Sequence, residues 1–121
     1  MQYLLMIYQN EVEYAKNDAA TSQKMLAEYQ AFTQGIIQNG NFKAGDRLQP
    51  TTTATTVRVR DGKMLTTDGP FAETREQLGG YYLIDAKDLD EALAIAARIP
   101  SARLGTIEVR PLVDVAAAAP A

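Results

Sequence analysis

The sequence predicts an α+β sandwich, an antiparallel sheet with two helices on one of its faces. Three observations lead there. The chain opens on the almost continuously apolar run QYLLMIYQ, two helix-periodic segments follow at a distance from each other, and a tight-turn hairpin signal separates them. The resulting order of strand, helix, two or three strands, helix, strand is that of the ferredoxin-like arrangement. At 121 residues the chain is long enough for one core and too short for two. We therefore expect one domain over residues 1–113, with residues 114–121 as a flexible, low-complexity tail.

Residues 2–9 suit a central strand buried on both faces. A helix is predicted from about Asp18 to Asn39, because an Asp at that position accepts hydrogen bonds from the free amides of the first turn. Met25, Tyr29, Phe32 and Ile36 then recur at helical spacing, widened by Leu26 and Ile37. Gly40 is the stop, being tolerant of a left-handed backbone. Residues 41–52 are expected to be a connection.

TTVRVR and KMLTTD are joined by Asp61-Gly62, a pair that accepts the positive φ of a tight hairpin. GYYLIDA, residues 80–86, reads as a strand. Residues 88–100 read as a second helix, with Asp88 as cap, Glu91 completing a capping box and Pro100 as terminator. Leu89, Ala92, Leu93 and Ala96 are its expected buried side. Residues 105–113, GTIEVRPLV, are the last strand.

Composition narrows the chemistry. The chain has no cysteine and no histidine, which removes disulfides, thiolate nucleophiles, Cys/His zinc sites and imidazole acid–base catalysis. No Asp/Glu spacing resembles a calcium loop, so no metal and no cofactor are expected. A net charge of −3 supplies no field for phosphate backbones and argues against direct nucleic-acid binding. No apolar run reaches membrane-spanning length. The first residues lack a basic leader, and a cytoplasmic protein is expected.

The sheet face opposite the helices carries the functional expectation. In the last strand Ile107 and Val109 point one way and Thr106, Glu108 and Arg110 the other. The hairpin divides similarly, with Val57 and Val59 against Thr56, Arg58 and Arg60. The central strands are apolar or aromatic on both sides, with Leu4, Met6 and Tyr8 opposed to Tyr3, Leu5 and Ile7, and Tyr81 and Leu83 opposed to Tyr82 and Ile84. A face that is apolar in the middle and charged at its sides argues for cover, and a homodimer enclosing a polar-edged cavity is expected.

The segment DGPFAETREQLGG, residues 68–80, is the densest in chemistry. Asp68-Gly69-Pro70 reads as a turn. Phe71 is expected to plug the core, ETREQ to form about one helical turn, and Gly79 and Gly80 to mark a bulge or close backbone approach. Asp68, Glu73, Arg75 and Glu76 are more ionisable groups than a plain turn requires. The glycines match neither a dinucleotide fingerprint nor a phosphate loop, and no nucleophile elbow is present.

DGPFAETREQLGGYYLID, together with LLMIY at 4–8, LQPTTTATTVRVRDGK at 48–63, DLDEALAIAARIP at 88–100 and GTIEVRP at 105–111, resembles the YCII-related family in its DGPF-domain branch. The likeness spans about residues 2–113. It implies a ferredoxin-like, dimeric α+β barrel, and a regulatory link, since DGPF members often lie beside genes for extracytoplasmic-function sigma factors. Some members of the wider family carry a His-Asp pair thought to serve acid–base chemistry. This chain lacks histidine, so that mechanism does not transfer. Asp68 is retained in its motif, and Arg110 is the candidate partner, able to hold a carboxylate ionised or to bind an acidic ligand.

Two readings follow. In the first, a small, acidic molecule binds in the cavity of the dimer, with or without catalysis. Asp68 is then base or acceptor, Arg110 anion clamp, Glu108 its neighbour, Tyr8 and Tyr82 polar-tipped walls, and Glu73 a further contact. In the second, a non-catalytic dimer contacts a protein partner tied to sigma-factor-dependent transcription, and residues 68–75 are its recognition loop.

Overall fold

The computed structural model describes residues 1–114; the expected tail from 115 onward lies outside the described residues. The described elements are β1 (Gln2–Gln9), α1 (Glu11–Ala15), α2 (Ala19–Gln38), β2 (Phe42–Arg47), β3 (Thr55–Arg60), β4 (Lys63–Asp68), β5 (Gln77–Asp85), α3 (Leu89–Ala97) and β6 (Thr106–Pro111), with short 3-10 turns at 51–53 and 100–103. The molecule is a mixed α+β protein with two antiparallel sheets. One is four-stranded, in the order β2-β5-β1-β6, and the other is the β3-β4 hairpin alone. The larger sheet is open, with β2 and β6 as its edges.

The helix starts follow from their caps. Asp18 accepts from the Thr21 amide at 2.7 Å, and the Thr21 hydroxyl, with this amide, holds its carboxyl below the ordinary value. Asp88 accepts from the Glu91 amide at 2.9 Å. The Glu91 carboxylate, however, accepts from Asn41 Nδ2 at 3.2 Å and so ties α3 to the end of α2. Asp61 and Gly62, with φ of 52° and 73°, make the hairpin turn, and Gly40, with φ of 79°, follows α2.

α2 and α3 share one face of the larger sheet. Tyr3, Leu5 and Ile7 of β1 and Tyr82 and Ile84 of β5 pack there against Phe32, Ile36, Ala92, Ile95, Ala96 and Ile99. Burying side chains of this size stabilises the fold by roughly 1.5–3 kcal/mol each. Tyr29 reaches from α2 to the turn at 100–103 and donates to Ser101 Oγ at 2.6 Å, which satisfies a fully buried hydroxyl.

Several expectations are corrected. Residues 42–47 are not a connection but an edge strand that pairs with β5 (Ala44↔Leu83, Asp46↔Tyr81). The hairpin stands apart from the main sheet, leaving Val57 and Val59 exposed. On α3 the buried set is Ala92, Ile95 and Ala96, continued by Ile99, whereas Leu89 and Leu93 are nearly half exposed. The spacing 92, 95, 96, 99 keeps one helical face toward the sheet, and Leu89 and Leu93 lie off it. Leu26 and Ile37 likewise face outward from α2. ETREQ forms no helical turn: residues 73–76 are irregular and Gln77 already belongs to β5. Phe71 is 80% exposed and plugs nothing.

Among the described residues no helix is long and apolar enough to cross a membrane.

Candidate functional site

Strand alternation decides which side chains face away from the helices. From β1 these are Leu4, Met6 and Tyr8. Their partners on one side are Leu83 and Tyr81, and on the other Arg110, Glu108 and Thr106. The open face is therefore apolar along its middle and charged along β6. Tyr81 donates to Asp46 Oδ2 at 3.2 Å, and the carboxylate beside the phenol raises its pKa.

A bulge sets the end of this face. Ile7 pairs with Gly80 but Tyr8 with Leu78, so Gly79 is the extra residue. A Cβ on Gly80 would stand 3.0 Å from the Asp46 carbonyl oxygen, and one on Gly105 would stand 2.1 Å from that of Tyr8. Only glycine lets β6 start this close to β1.

Beside this end of the sheet, the hairpin and the 68–76 segment enclose a cleft of about 990 Å³. Its walls come from four parts of the chain: Tyr8 of β1; Thr51 and Ala54 to Val57 around the start of β3; Pro70 to Ala72, Thr74 and Glu76 to Leu78; and Thr106 to Glu108 of β6. Val57, Pro70, Phe71 and Leu78 supply apolar surface. Thr51, Thr55, Thr56, Thr74 and Thr106 supply hydroxyl groups, and Glu76 and Glu108 are the two carboxylates.

Hydrogen bonds fix this frame. Gly69 N donates to the Ala54 carbonyl at 2.8 Å, and Thr56 Oγ1 donates to the Gly69 carbonyl at 2.6 Å, so the turn is fastened to β3. Gly69 has φ of 106°, which favours glycine there. Thr106 Oγ1 donates to Glu76 Oε1 at 2.9 Å. Gln77 works both ways, accepting from the Glu11 amide at 2.9 Å and donating to the Thr74 carbonyl at 2.6 Å. The Glu11 carboxylate accepts from the amide of Thr51 at 3.1 Å and from its hydroxyl, so α1 anchors the cleft's floor.

The residues singled out from sequence are distributed unevenly over this site. Tyr8 and Glu108 line the cleft, as does Glu76. Asp68 ends β4, paired with Thr55, and neither it nor Glu73 nor Arg110 is among the lining residues. Arg110 lies 3.7 Å from Glu108 in an exposed ion pair, a geometry worth little. Among the described residues no ion pair joins Asp68 to Arg110.

Tyr82 is not among the lining residues of the cleft. It is 8% exposed on the helix-covered side, its hydroxyl sharing a 2.7 Å hydrogen bond with Thr33 and its ring meeting Phe32 edge-on. Burial raises its pKa, and the Thr33 bond offsets part of that.

Sequence reasoning missed Phe71 as a cleft wall, and it missed the threonines and Gln77. The run TTTATT at 51–56 was the available signal, an excess of hydroxyls before a hairpin. Among the described residues no group of three or more acidic side chains is gathered as metal ligands.

A family model described as YCII-related domain matches residues 1–116. An uncharacterized protein of Rhizobium meliloti (strain 1021) is 38% identical over 114 residues, covering 93% of this chain and 92% of its own length. The family match spans every wall of the cleft, and the chain belongs to the family of YCII-related domains.

Proposed function

We propose that the protein binds a small organic molecule in the cleft between the hairpin and the open sheet face, and that it does so as a homodimer. The carrying observation is the cleft itself: about 990 Å³, apolar in part, with a few convergent polar groups, as small-molecule sites are. Tyr8 and Glu108 are the ligand contacts on the sheet side. Asp68, Glu73 and Arg110 stand outside its lining and are not part of this reading.

The strand order supports a ferredoxin-like reading. Counting the sheet strands along the chain, the order is second, third, first, fourth, with the hairpin inserted between the second and third. Asp68-Gly69-Pro70-Phe71 supports the DGPF branch. Leu4, Met6, Tyr81 and Leu83, half-buried on the face without helices, support a second copy closing that face into a barrel. The lack of cysteine suits the cytoplasm.

The test is thermal shift against a broad metabolite panel, paired with light scattering at micromolar protein. A ligand held by the native state raises Tm, and Leu83→Lys is expected to give single chains. An empty panel together with a protein recovered by pull-down would favour the competing reading, a non-catalytic dimer that contacts a transcription regulator. Single chains of the wild type would remove the dimer from either.

A further inference from the structure

The charges in the cleft are all of one sign. Its two carboxylates, Glu76 and Glu108, are acidic, and no lysine or arginine lines it. Thr106 lies between them. It donates to Glu76, and it stands two residues before Glu108 on the same side of β6. Both carboxylates therefore belong to one wall. Tyr8, the cross-strand partner of Thr106, adds an aromatic ring to it, and Phe71 brings a second, largely exposed ring from the 68–76 segment.

Neither carboxylate is well neutralised. The Arg110 guanidinium is 3.7 Å from Glu108 and mostly in solvent, so it screens weakly. Glu76 is in no ion pair among the described residues, and its bond to a neutral hydroxyl leaves its charge in place. An anionic ligand would meet two like charges and no cation in the lining, a costly arrangement in a part-enclosed site. A cation would find a carboxylate to bond, ring faces to lie against and apolar walls for its body.

We propose that this cleft selects a small organic cation, an ammonium group carried on an apolar or aromatic body, in place of the acidic molecule that Arg110 had suggested. This rests on the reading of the cleft as a ligand site.

The experiment uses three probes of one skeleton: phenethylamine, phenethyl alcohol and phenylacetate. Each is titrated into the full chain by NMR, following the amides of residues 54–57, 71–78 and 106–108. The amine is expected to bind about tenfold tighter than phenylacetate, with the alcohol between. Glu76→Gln keeps an oxygen to accept from Thr106, so the frame stays pinned, and it should bring the amine down to the affinity of the alcohol. Glu108→Gln should do so in part. Phenylacetate binding as well as or better than the amine, with the same amides shifting, overturns charge selection while leaving the cleft a ligand site. No shift with any probe up to about 10 mM removes the ligand site and this inference with it.

Discussion

The hydroxyl of Thr106 donates a 2.9 Å hydrogen bond to the carboxylate of Glu76, thirty residues away in the chain. That bond is where the irregular segment after β4 meets the edge strand β6. At its other end the segment is fastened to β3 through Gly69 and Ala54. One wall of the cleft thus hangs between two sheets that share no backbone ladder, and its shape depends on a few side-chain bonds.

Thr106→Val keeps the side chain's shape and removes the donor. The loss is about 1 kcal/mol, and it falls on local opening more than on the whole fold. Limited trypsin digestion at Arg75 should therefore speed up while the global melting midpoint moves little. Equal cleavage of wild type and variant would show that the bond does not hold the segment.

Gly105→Ala should be much worse than Gly79→Ala. A Cβ at 105 would lie 2.1 Å from the Tyr8 carbonyl oxygen, a backbone atom that can yield only by moving β1, whereas at 79 the nearest atom is 3.9 Å away. Overpacking of the first kind costs about 3 kcal/mol, and the second is expected to be nearly neutral. Urea unfolding of the two variants decides it, and equal midpoints would contradict the close approach of β6 to β1.

On α3, Ile95→Ala should cost about 3 kcal/mol and Leu93→Ala about 1 kcal/mol or less. Ile95 is 4% exposed and Leu93 46%, although the sequence predicts that Leu89 and Leu93 share the buried side with Ala92 and Ala96. A larger loss at Leu93 would mean that something outside the single chain covers it.

That reversal shows where sequence reasoning succeeds and where it stops. Asp18, Asp88 and Asp61-Gly62 mark element boundaries through local chemistry, and the structure has them at helix starts and at the hairpin turn. FKAGDR has no strand pattern of its own and is a strand only because β5 offers it a ladder. Tyr81 and Tyr82 are neighbours of similar type in a strand apolar on both faces, so composition could not say which faced the helices; pairing of Tyr82 with Leu5 settles it. Phe71 has a core residue's chemistry, yet the turn that carries it is fastened to the hairpin and not to the core. The cleft gathers residues 8, 51, 54–57, 70–72, 74, 76–78 and 106–108, a convergence that no local window of sequence contains.

Alkaline pH should reveal the buried tyrosines. Burial raises the pKa of Tyr29, with its bond to Ser101 opposing, and raises that of Tyr82, with its bond to Thr33 opposing. The ordinary value is 10.0. Above it the unfolded chain releases these protons while the folded chain keeps them, so the native state binds more protons and stability falls as pH rises. Below it both states are protonated, and neither group contributes any slope. Stability from urea unfolding should therefore hold level in these two residues' contribution up to about pH 10 and decline beyond it. Tyr29→Phe/Tyr82→Phe keeps the rings and removes both titrations. It loses some stability at neutral pH through the Ser101 and Thr33 bonds, but its decline above pH 10 should be shallower than that of the wild type. Parallel declines in the two proteins would show that both hydroxyls titrate in the fold as they do in the unfolded chain, and that neither phenol is held away from water.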